Sequence, residues 1–205
     1  MRTRSLPSLL AVSFLLLPAC AGPQKPSTEE AKPSVEEAVP SLEAEAGAAA
    51  SAEPTELLPN GKQIGDDLLI GGQPTPEQLE ALKAAGYRTV ISLQSESEEG
   101  AETVLAVARN TFGAGAVHLP VPGVLGVDED NAAKLHEALK TARERGGKIV
   151  IHCRTGGRAS ALYALARYRH EGVSAEAAMA EAKAAGLTKE ALIEHLGELL
   201  QEPVS

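Results

Sequence analysis

The chain has 205 residues, a net charge of −9 and 43% hydrophobic residues, a composition that supports one folded domain. It contains three tyrosines, two phenylalanines and no tryptophan. An acidic chain without a basic stripe or base-stacking aromatic residues argues against a nucleic acid partner.

Residues 1–19 begin with Met-Arg-Thr-Arg and continue into an apolar run that is too short to span a membrane. This pattern is typical of a secretory signal. The sequence Leu-Pro-Ala-Cys that ends at Cys20 resembles the bacterial lipobox, which implies that Cys20 is lipidated. An ordinary signal peptide is the alternative. We expect a lipid-anchored protein on the periplasmic face of the cell envelope, and Ala21 in place of an aspartate favours the outer membrane.

Residues 20–58 are predicted to form a tether, because eight glutamates and five prolines lie among residues 21–58 without any aromatic residue. Such a composition cannot bury enough apolar surface to offset the entropy of ordering. As a flexible coil this segment would span on the order of 35 Å. We place the folded domain at residues 59–205.

Apolar periodicity and turn residues predict an alternation of strands and helices within the domain. The predicted strands are residues 67–70, 87–93, 117–121 and 148–151. The predicted helices are residues 76–85, with a capping box from Thr75 to Gln78, then 98–112, 130–145, 159–170, 175–185 and 189–200, the last capped by Thr188. This order predicts a single α/β domain with a mostly parallel sheet flanked by helices. Ligands of such sheets bind beyond the carboxyl ends of the strands.

The most informative segment is residues 152–158, His-Cys-Arg-Thr-Gly-Gly-Arg, which follows a predicted buried strand and precedes a helix. Backbone amides and the dipole at a helix N-terminus attract anions, and they favour a thiolate at Cys153. If Cys20 carries lipid, Cys153 is the remaining thiol, which suggests a reactive group. A buried packing cysteine is the alternative.

The other residues of this segment fit oxyanion binding. Arg158 can hold two oxyanion oxygens at once and stabilise the charge that develops in a transition state. Gly156 and Gly157 permit a close backbone approach, so that amides can turn towards an anion. Arg154 and Thr155 complete the predicted phosphate-binding loop. Arg154 is expected at the rim, where it either selects anionic substrates or is simply solvated.

The segment resembles the motif of the cysteine-dependent phosphatases, His-Cys, five residues, Arg, then Ser or Thr. Here only four residues separate Cys153 from Arg158, and Ala159 follows the arginine. The hydroxyl that the family places beside the thiolate is therefore missing at that position, and Ser160 or Thr155 is a candidate substitute. The shorter spacing is similar to the loop of rhodanese sulfurtransferases, which bind a sulfane sulfur.

Three further segments also carry a resemblance. They are Leu-Ile-Gly-Gly-Gln-Pro-Thr-Pro-Glu-Gln-Leu at 69–79, Thr-Val-Ile-Ser-Leu-Gln at 89–94 and His-Leu-Pro-Val-Pro at 118–122. Together with the cysteine loop they resemble the beta-lactamase-hydrolase-like phosphatase family over roughly residues 62–187. The resemblance implies a dual-specificity-phosphatase-like fold with a short loop. Some relatives are fused to persulfide-oxidising metallo-hydrolase domains, so sulfur transfer is an alternative activity under the same resemblance.

The resemblance to the cysteine-dependent phosphatases also implies a supporting role for His152 and a catalytic role for a residue of an earlier loop. His152 precedes the nucleophile as in tyrosine phosphatases, where a histidine fixes the loop and lowers the thiol pKa, and an ordinary strand residue is the alternative. Its side chain should point away from that of Cys153 and act indirectly. Phosphatases of this type take a general acid from a mobile loop before the cysteine, and Asp128 is the candidate. Asp128 is equally explained as the N-cap of the following helix.

We therefore expect a cysteine phosphatase-like hydrolase that acts on an anionic phosphomonoester through a cysteinyl-phosphate at Cys153. The alternatives are a rhodanese-like sulfurtransferase that receives sulfane sulfur on Cys153 and a non-catalytic module that binds an anion or a phosphorylated partner. We expect no cofactor and no metal site, because His118, His136, His170 and His195 lack metal-ligand spacing.

Overall fold

A computed structural model describes residues 53–201 of the chain. The predicted signal, Cys20 and most of the predicted tether lie outside the described residues. Within residues 53–201 no helix is long and apolar enough to cross a membrane.

The described chain alternates strands and helices in the predicted manner. The strands are β1 (Lys62–Ile64), β2 (Leu68–Gly71), β3 (Tyr87–Ser92), β4 (Ala116–His118) and β5 (Lys148–His152). The helices are α1 (Pro54–Leu57), α2 (Pro76–Ala84), α3 (Ala101–Phe112), α4 (Glu129–Arg145), α5 (Gly157–Glu171), α6 (Ala175–Ala184) and α7 (Glu190–Leu199), with a short 3-10 turn at Gly113–Gly115.

The five strands form one sheet in the order β1-β2-β5-β3-β4. Strands β2, β5, β3 and β4 are parallel, and only the edge strand β1 runs antiparallel to its neighbour β2. The expected α/β class with a mostly parallel sheet is confirmed. Strand β5 lies in the middle, so its apolar run Ile149 to Ile151 is buried on both faces.

Alternate residues of the strands divide the core into two clusters, one on each face of the sheet. On one face Leu69, Val90 and Val150 pack against α1, α2 and α3. On the other face Ile70, Ile91 and Ile151 pack against the four C-terminal helices. Helix α5 is buried over most of its length, from Ala159 to Ala166, because α4, α6 and α7 surround it.

Several helix ends confirm the local sequence signals, while others differ. Thr75 and Gln78 form the predicted capping box of α2. Gly172 ends α5 in the left-handed conformation, with a φ of 71°. Helix α7 is capped by Lys189 rather than by Thr188, since the backbone of Lys189 is still extended.

The folded domain begins before the predicted boundary at Pro59. Leu57 is 6% exposed and Leu58 is fully buried, and both belong to the core cluster beneath α2 and α3. The sequence analysis assigned this short apolar pair to the tether because acidic residues surround it. Strand β1 was also not predicted, because a three-residue edge strand leaves almost no periodicity to detect.

We predict that Leu58→Ala lowers the free energy of unfolding by about 2–5 kcal/mol, because it empties a fully buried site. Urea denaturation of the full chain measures the change. Leu125→Ala is the matched control, because Leu125 is 80% exposed and its truncation should cost less than about 0.5 kcal/mol. Equal effects of the two substitutions would contradict the placement of Leu58 in the core.

Candidate active site

Cys153 lies at the carboxyl edge of the sheet, immediately after the central strand β5. Its side chain is 1% exposed, and its sulfur accepts a hydrogen bond from the backbone N–H of Gly156 at 3.2 Å. The backbone N–H of Cys153 donates to the carbonyl of Gly71 at 3.3 Å. The sulfur is therefore held inside the loop that follows it, as expected for a nucleophile at the floor of an anion site.

The end of strand β2 supports this loop from the side. Gly72 pairs with Thr155 in a β-bridge, and the N–H of Gln73 donates to the carbonyl of Arg154 at 3.3 Å. Gly156 has a φ of +100°, and a Cβ there would lie 3.3 Å from the backbone of Gly71. Glycine is needed at 156 because of this backbone conformation. The Gly-Gly pair at 71–72 thus forms one wall of the cysteine loop.

Helix α5 starts at Gly157, and its N-cap Gly156 has no side chain to satisfy the first amides. The first N–H groups of a helix have no partner within the helix, and they carry the positive end of its dipole. These amides are placed to bind an oxyanion above Cys153. Gly156 and Gly157 thereby take the positions that the sequence predicted for them.

Ser160 does not supply the hydroxyl that the phosphatase motif places beside the sulfur. Its hydroxyl contacts the carbonyls of Gly156 at 3.0 Å and Ala185 at 2.7 Å. Ser160 is fully buried, so these contacts tie the start of α5 to the end of α6. Its role is to fix the loop, which corrects the expectation of a direct contact with the sulfur. Thr155 is exposed at the rim.

Arg158 is held by a carboxylate that the sequence analysis did not select. Its Nη1 and Nη2 donate to the two carboxylate oxygens of Glu98 at 2.8 and 2.5 Å, and Nη1 also donates to the carbonyl of Val121 at 2.6 Å. The Arg158 guanidinium holds the pKa of Glu98 below its ordinary value. Both side chains are largely buried, at 12% and 21% exposed, so solvent screens this pair only in part.

The contacts of Arg158 leave one edge of its guanidinium for a ligand. Glu98 occupies the end formed by the two terminal nitrogens, so the edge that carries Nε and the second Nη2 hydrogen is available. Burial opposes the charged form, but Glu98 and Cys153 outweigh it and raise the pKa of Arg158. Arg158 and Cys153 stand at the two ends of the same short loop, and Arg158 lines the cleft into which that loop opens. A bound oxyanion would lie between the two groups.

Arg154 lies at the rim, as the sequence predicted. Its Nη2 pairs with Glu99 at 3.1 Å, and its side chain is 51% exposed. The segment 98–99 thus supplies one carboxylate to each arginine of the cysteine loop. The two pairs differ in environment, since Glu99 is 86% exposed and can be displaced by a substrate anion at little cost.

The cysteine loop opens into a cleft of about 420 Å³. Its walls come from the loop itself, from the segments 95–98 and 122–124, and from the start of α7. The lining residues are Ser95, Ser97, Glu98, Pro122, Gly123, Val124, Arg154, Thr155, Arg158, Lys189 and Leu192. The cleft therefore presents three cationic side chains to a ligand, and Glu98 is the acidic residue among those that line it.

Asp128 is the N-cap of α4. Its two carboxylate oxygens accept hydrogen bonds from Asn131, one from the backbone N–H at 2.8 Å and one from Nδ2 at 3.3 Å. It is not among the residues that line the cleft. The described contacts thus match the capping alternative, and the general-acid role of Asp128 stays a prediction.

His152 is fully buried on the face of the sheet opposite to the side chain of Cys153. Burial lowers its pKa to about 4, against a smaller opposing effect from the backbone of Cys153. Neither ring nitrogen reaches hydrogen-bonding geometry with a described residue. The supporting role expected for His152 therefore stays a prediction, and its described contact is the backbone carbonyl, which accepts from the N–H of Leu93 at 2.8 Å.

Glu98 was missed because the sequence analysis placed it inside a helix. The helix begins three residues later, at Ala101, and Glu98 instead folds back so that its Oε1 accepts from the N–H of Ser95 at 2.9 Å. The spacing Ser-x-x-Glu at 95–98 is a turn and capping signal that could have been recognised. Nothing in the local sequence identifies its partner sixty residues away.

Comparison with known proteins agrees with this geometry. Residues 55–196 match the model of the PTP-NADK family, described as a DSP-PTPase phosphatase fused to NAD+ kinase. The chain belongs to this family. This is a family of cysteine-dependent, dual-specificity-like phosphatases, which agrees with the hydrolase class expected from the sequence.

Curated relatives support the resemblance to the beta-lactamase-hydrolase-like family. The chain is 32% identical over 106 residues to the beta-lactamase hydrolase-like proteins of two Xylella fastidiosa strains, Temecula1 and 9a5c. The matched region is 50% of this chain and 23% of those proteins. The chain therefore spans about a quarter of the relatives it matches.

Solved structures show the same fold. A protein named as a candidate phosphatase (DUF442) from Shewanella putrefaciens CN-32 superposes with a TM-score of 0.57 and 23% identity, covering 73% of this chain and 94% of that one. The TpbA protein of P. aeruginosa, in a cysteine-to-serine form in complex with pTyr, gives a TM-score of 0.51 and 20% identity, covering 70% and 90%.

We predict that Glu98→Gln lowers kcat/KM towards an aryl phosphate by about tenfold to a hundredfold, because a displaced Arg158 no longer faces the reacting group. The inhibition constant of inorganic phosphate should rise in parallel, a change that a purely structural role would not produce. Glu96→Gln, in the same segment and exposed, is the control. Unchanged phosphate inhibition in Glu98→Gln would contradict the assignment.

We predict that His152 makes stability depend on pH between its unfolded pKa of 6.5 and its folded pKa of about 4. The unfolded chain binds the proton more readily, so this contribution is present above pH 6.5 and is lost as the pH falls through that window, by about 3 kcal/mol at most. Urea denaturation at pH 7 and pH 4.5 measures it. His152→Leu should reduce the difference, and an identical pH dependence in the variant would refute the prediction.

Proposed function

We propose that this domain hydrolyses a phosphomonoester in two steps at Cys153. In the first step the sulfur attacks phosphorus, an S–P bond forms and the ester oxygen departs with the bonding electrons. In the second step water attacks the cysteinyl-phosphate, releases inorganic phosphate and restores the sulfur anion. The observation that carries this proposal is a single loop in which the Cys153 sulfur accepts from the Gly156 amide and Glu98 fixes Arg158 at the wall of the cleft.

The cysteine loop supplies the binding groups for both steps. The first amides of α5 and the free edge of Arg158 would hold the non-bridging oxygens, whose charge increases as the reaction proceeds. Arg154 and Thr155 at the rim would contact the rest of the substrate. The groups are positioned before substrate binds, because Glu98, Gly72 and Ser160 fix the loop from three sides.

We further propose that the domain works at the bacterial cell envelope. The support is the signal-like start, the lipobox-like sequence that ends at Cys20 and the acidic, proline-containing segment up to about residue 52. Lipid on Cys20 would hold the domain at the periplasmic face, with the outer membrane favoured by Ala21. The tether would let the cleft reach substrates some tens of ångströms from the membrane.

Sulfur transfer is the second candidate, because four rather than five residues separate Cys153 from Arg158. In that reaction Cys153 attacks the outer sulfur of thiosulfate, an S–S bond forms and sulfite departs. The resulting persulfide passes its sulfur to cyanide or to another thiol. Both reactions would use the Cys153 sulfur as the nucleophile and Arg158 to bind the anion, so only their products distinguish them.

A paired assay of the full chain tests these proposals. We expect phosphate release from p-nitrophenyl phosphate, loss of that activity in Cys153→Ser and a fall of about a hundredfold or more in Arg158→Lys, because lysine cannot bind two oxygens in the same geometry. A persulfide adduct of roughly one sulfur mass, about 32 Da, after thiosulfate treatment would instead establish sulfur transfer. Phosphate binding without turnover in either assay would identify a non-catalytic binding module.

A further inference from the structure

A second cationic groove adjoins the active cleft. It has a volume of about 370 Å³ and lies between the cysteine loop, strand β1 and the turn before α7. Thr155, Lys189 and Leu192 line both the groove and the active cleft, so the two depressions are adjacent. The residues that line the groove include two lysines, Lys62 and Lys189, and no acidic residue.

The two lysines have exposed side chains on backbone that packs beside the cysteine loop. A Cβ at Gly157 would lie 3.1 Å from Leu192, so α7 packs directly on the first residue of α5 and carries Lys189 with it. The stem of Lys62 passes over Gly186, where a Cβ would lie 3.6 Å from its Cγ. Neither lysine has an ion-pair partner among residues 53–201, in contrast to Arg154 and Arg158.

Among the described residues that line the active cleft, Glu98 is the acidic one, and in this structure neither it nor Asp128 has a carboxylate oxygen directed at a leaving group. Glu98 is occupied by Arg158, and Asp128 uses both oxygens to cap α4. Position 125, at the tip of the loop before α4, carries an exposed leucine. General acids typically contribute 10²–10⁴-fold in rate, so a site without one favours a leaving group that departs as a stable anion.

A phosphate leaving group would be stable as an anion and would also be attracted by the two lysines. It leaves as an anion whose pKa is about 6, whereas a phenol has a pKa of about 10 and an alcohol a much higher value, so phosphate departs at neutral pH without a proton donor. It also carries the negative charge that Lys62 and Lys189 would attract. The lack of a proton donor and the two lysines of the groove therefore both favour a substrate whose leaving group is a phosphate.

We propose that the preferred substrates carry a terminal diphosphate, with the outer phosphoryl group at Cys153 and the inner phosphate in the groove between Lys62 and Lys189. This inference rests on the proposed cysteine phosphatase activity and specifies its substrate class. Sulfur attacks the outer phosphorus, the anhydride P–O bond breaks, and the inner phosphate departs with the electron pair. Water then releases the outer phosphate, so one anhydride and one water give two phosphate-bearing products.

The test compares ADP, AMP and p-nitrophenyl phosphate on the full chain. ADP and AMP share a nucleoside but differ in their leaving groups. Transfer of the terminal phosphoryl group releases a phosphate (AMP) from ADP, and it releases an alcohol (adenosine) from AMP. We expect kcat/KM for ADP to exceed that for AMP by about a hundredfold or more, in line with the contribution of a missing acid. Lys62→Gln and Lys189→Gln should each lower the ratio of ADP to p-nitrophenyl phosphate activity by about threefold to tenfold.

Lys140→Gln is the control, because Lys140 is an exposed residue of α4 that lines neither depression. Similar activity on ADP and AMP, with an unchanged activity ratio in both lysine variants, would overturn the diphosphate assignment while p-nitrophenyl phosphate is still hydrolysed. Failure to hydrolyse p-nitrophenyl phosphate at all, with no effect of Cys153→Ser on any substrate, would instead overturn the proposed phosphatase function. The two failures are therefore distinguishable.

Discussion

The ion pair between Arg158 and Glu98 determines how the candidate site is arranged. An arginine near the start of a buried helix could adopt many conformations, and its charge would be costly to bury without a partner. Glu98 supplies that partner and uses only one end of the guanidinium, so the other edge is kept for a ligand beside Cys153. The carbonyl of Val121 adds a third contact from the loop before α4. One interaction therefore joins the cysteine loop to two other segments that follow strands of the sheet.

The sheet makes this interaction possible, because the carboxyl ends of β2, β3 and β5 meet at one edge. Strand β5 delivers the cysteine, β3 leads into the segment that carries Glu98, and β2 ends in the glycines that support the loop. Each strand thus contributes one part of the site. The antiparallel edge strand β1 and the turn before α7 add Lys62 and Lys189 outside the loop, where they extend the cationic surface away from the reacting group.

Local signals predicted the fold and the loop well, since both depend on short stretches of sequence. The apolar run before Cys153, the glycines after it and the capping box at Thr75 have one structural meaning each, and the structure bears them out. The partner of Arg158 could not be predicted in this way, because an ion pair between segments that follow two different strands leaves no periodic pattern in the sequence. The carbonyl contacts of Ser160 likewise depend on which side-chain rotamer the packing allows, whereas the capping position of Asp128 was one of the two alternatives that the sequence offered.

The buried Leu58 has a consequence for the chain that precedes it. A Cβ at Gly71 would lie 2.6 Å from Leu58, and the carbonyl of that same glycine accepts the amide of Cys153. Only one residue thus separates the incoming polypeptide from the nucleophile's own backbone. Two further contacts join the same segments, since the Pro59 carbonyl accepts from the N–H of Gly72 and the Asn60 amide donates to the carbonyl of Thr155. A displacement of the chain at the start of the folded domain would therefore also displace the cysteine loop.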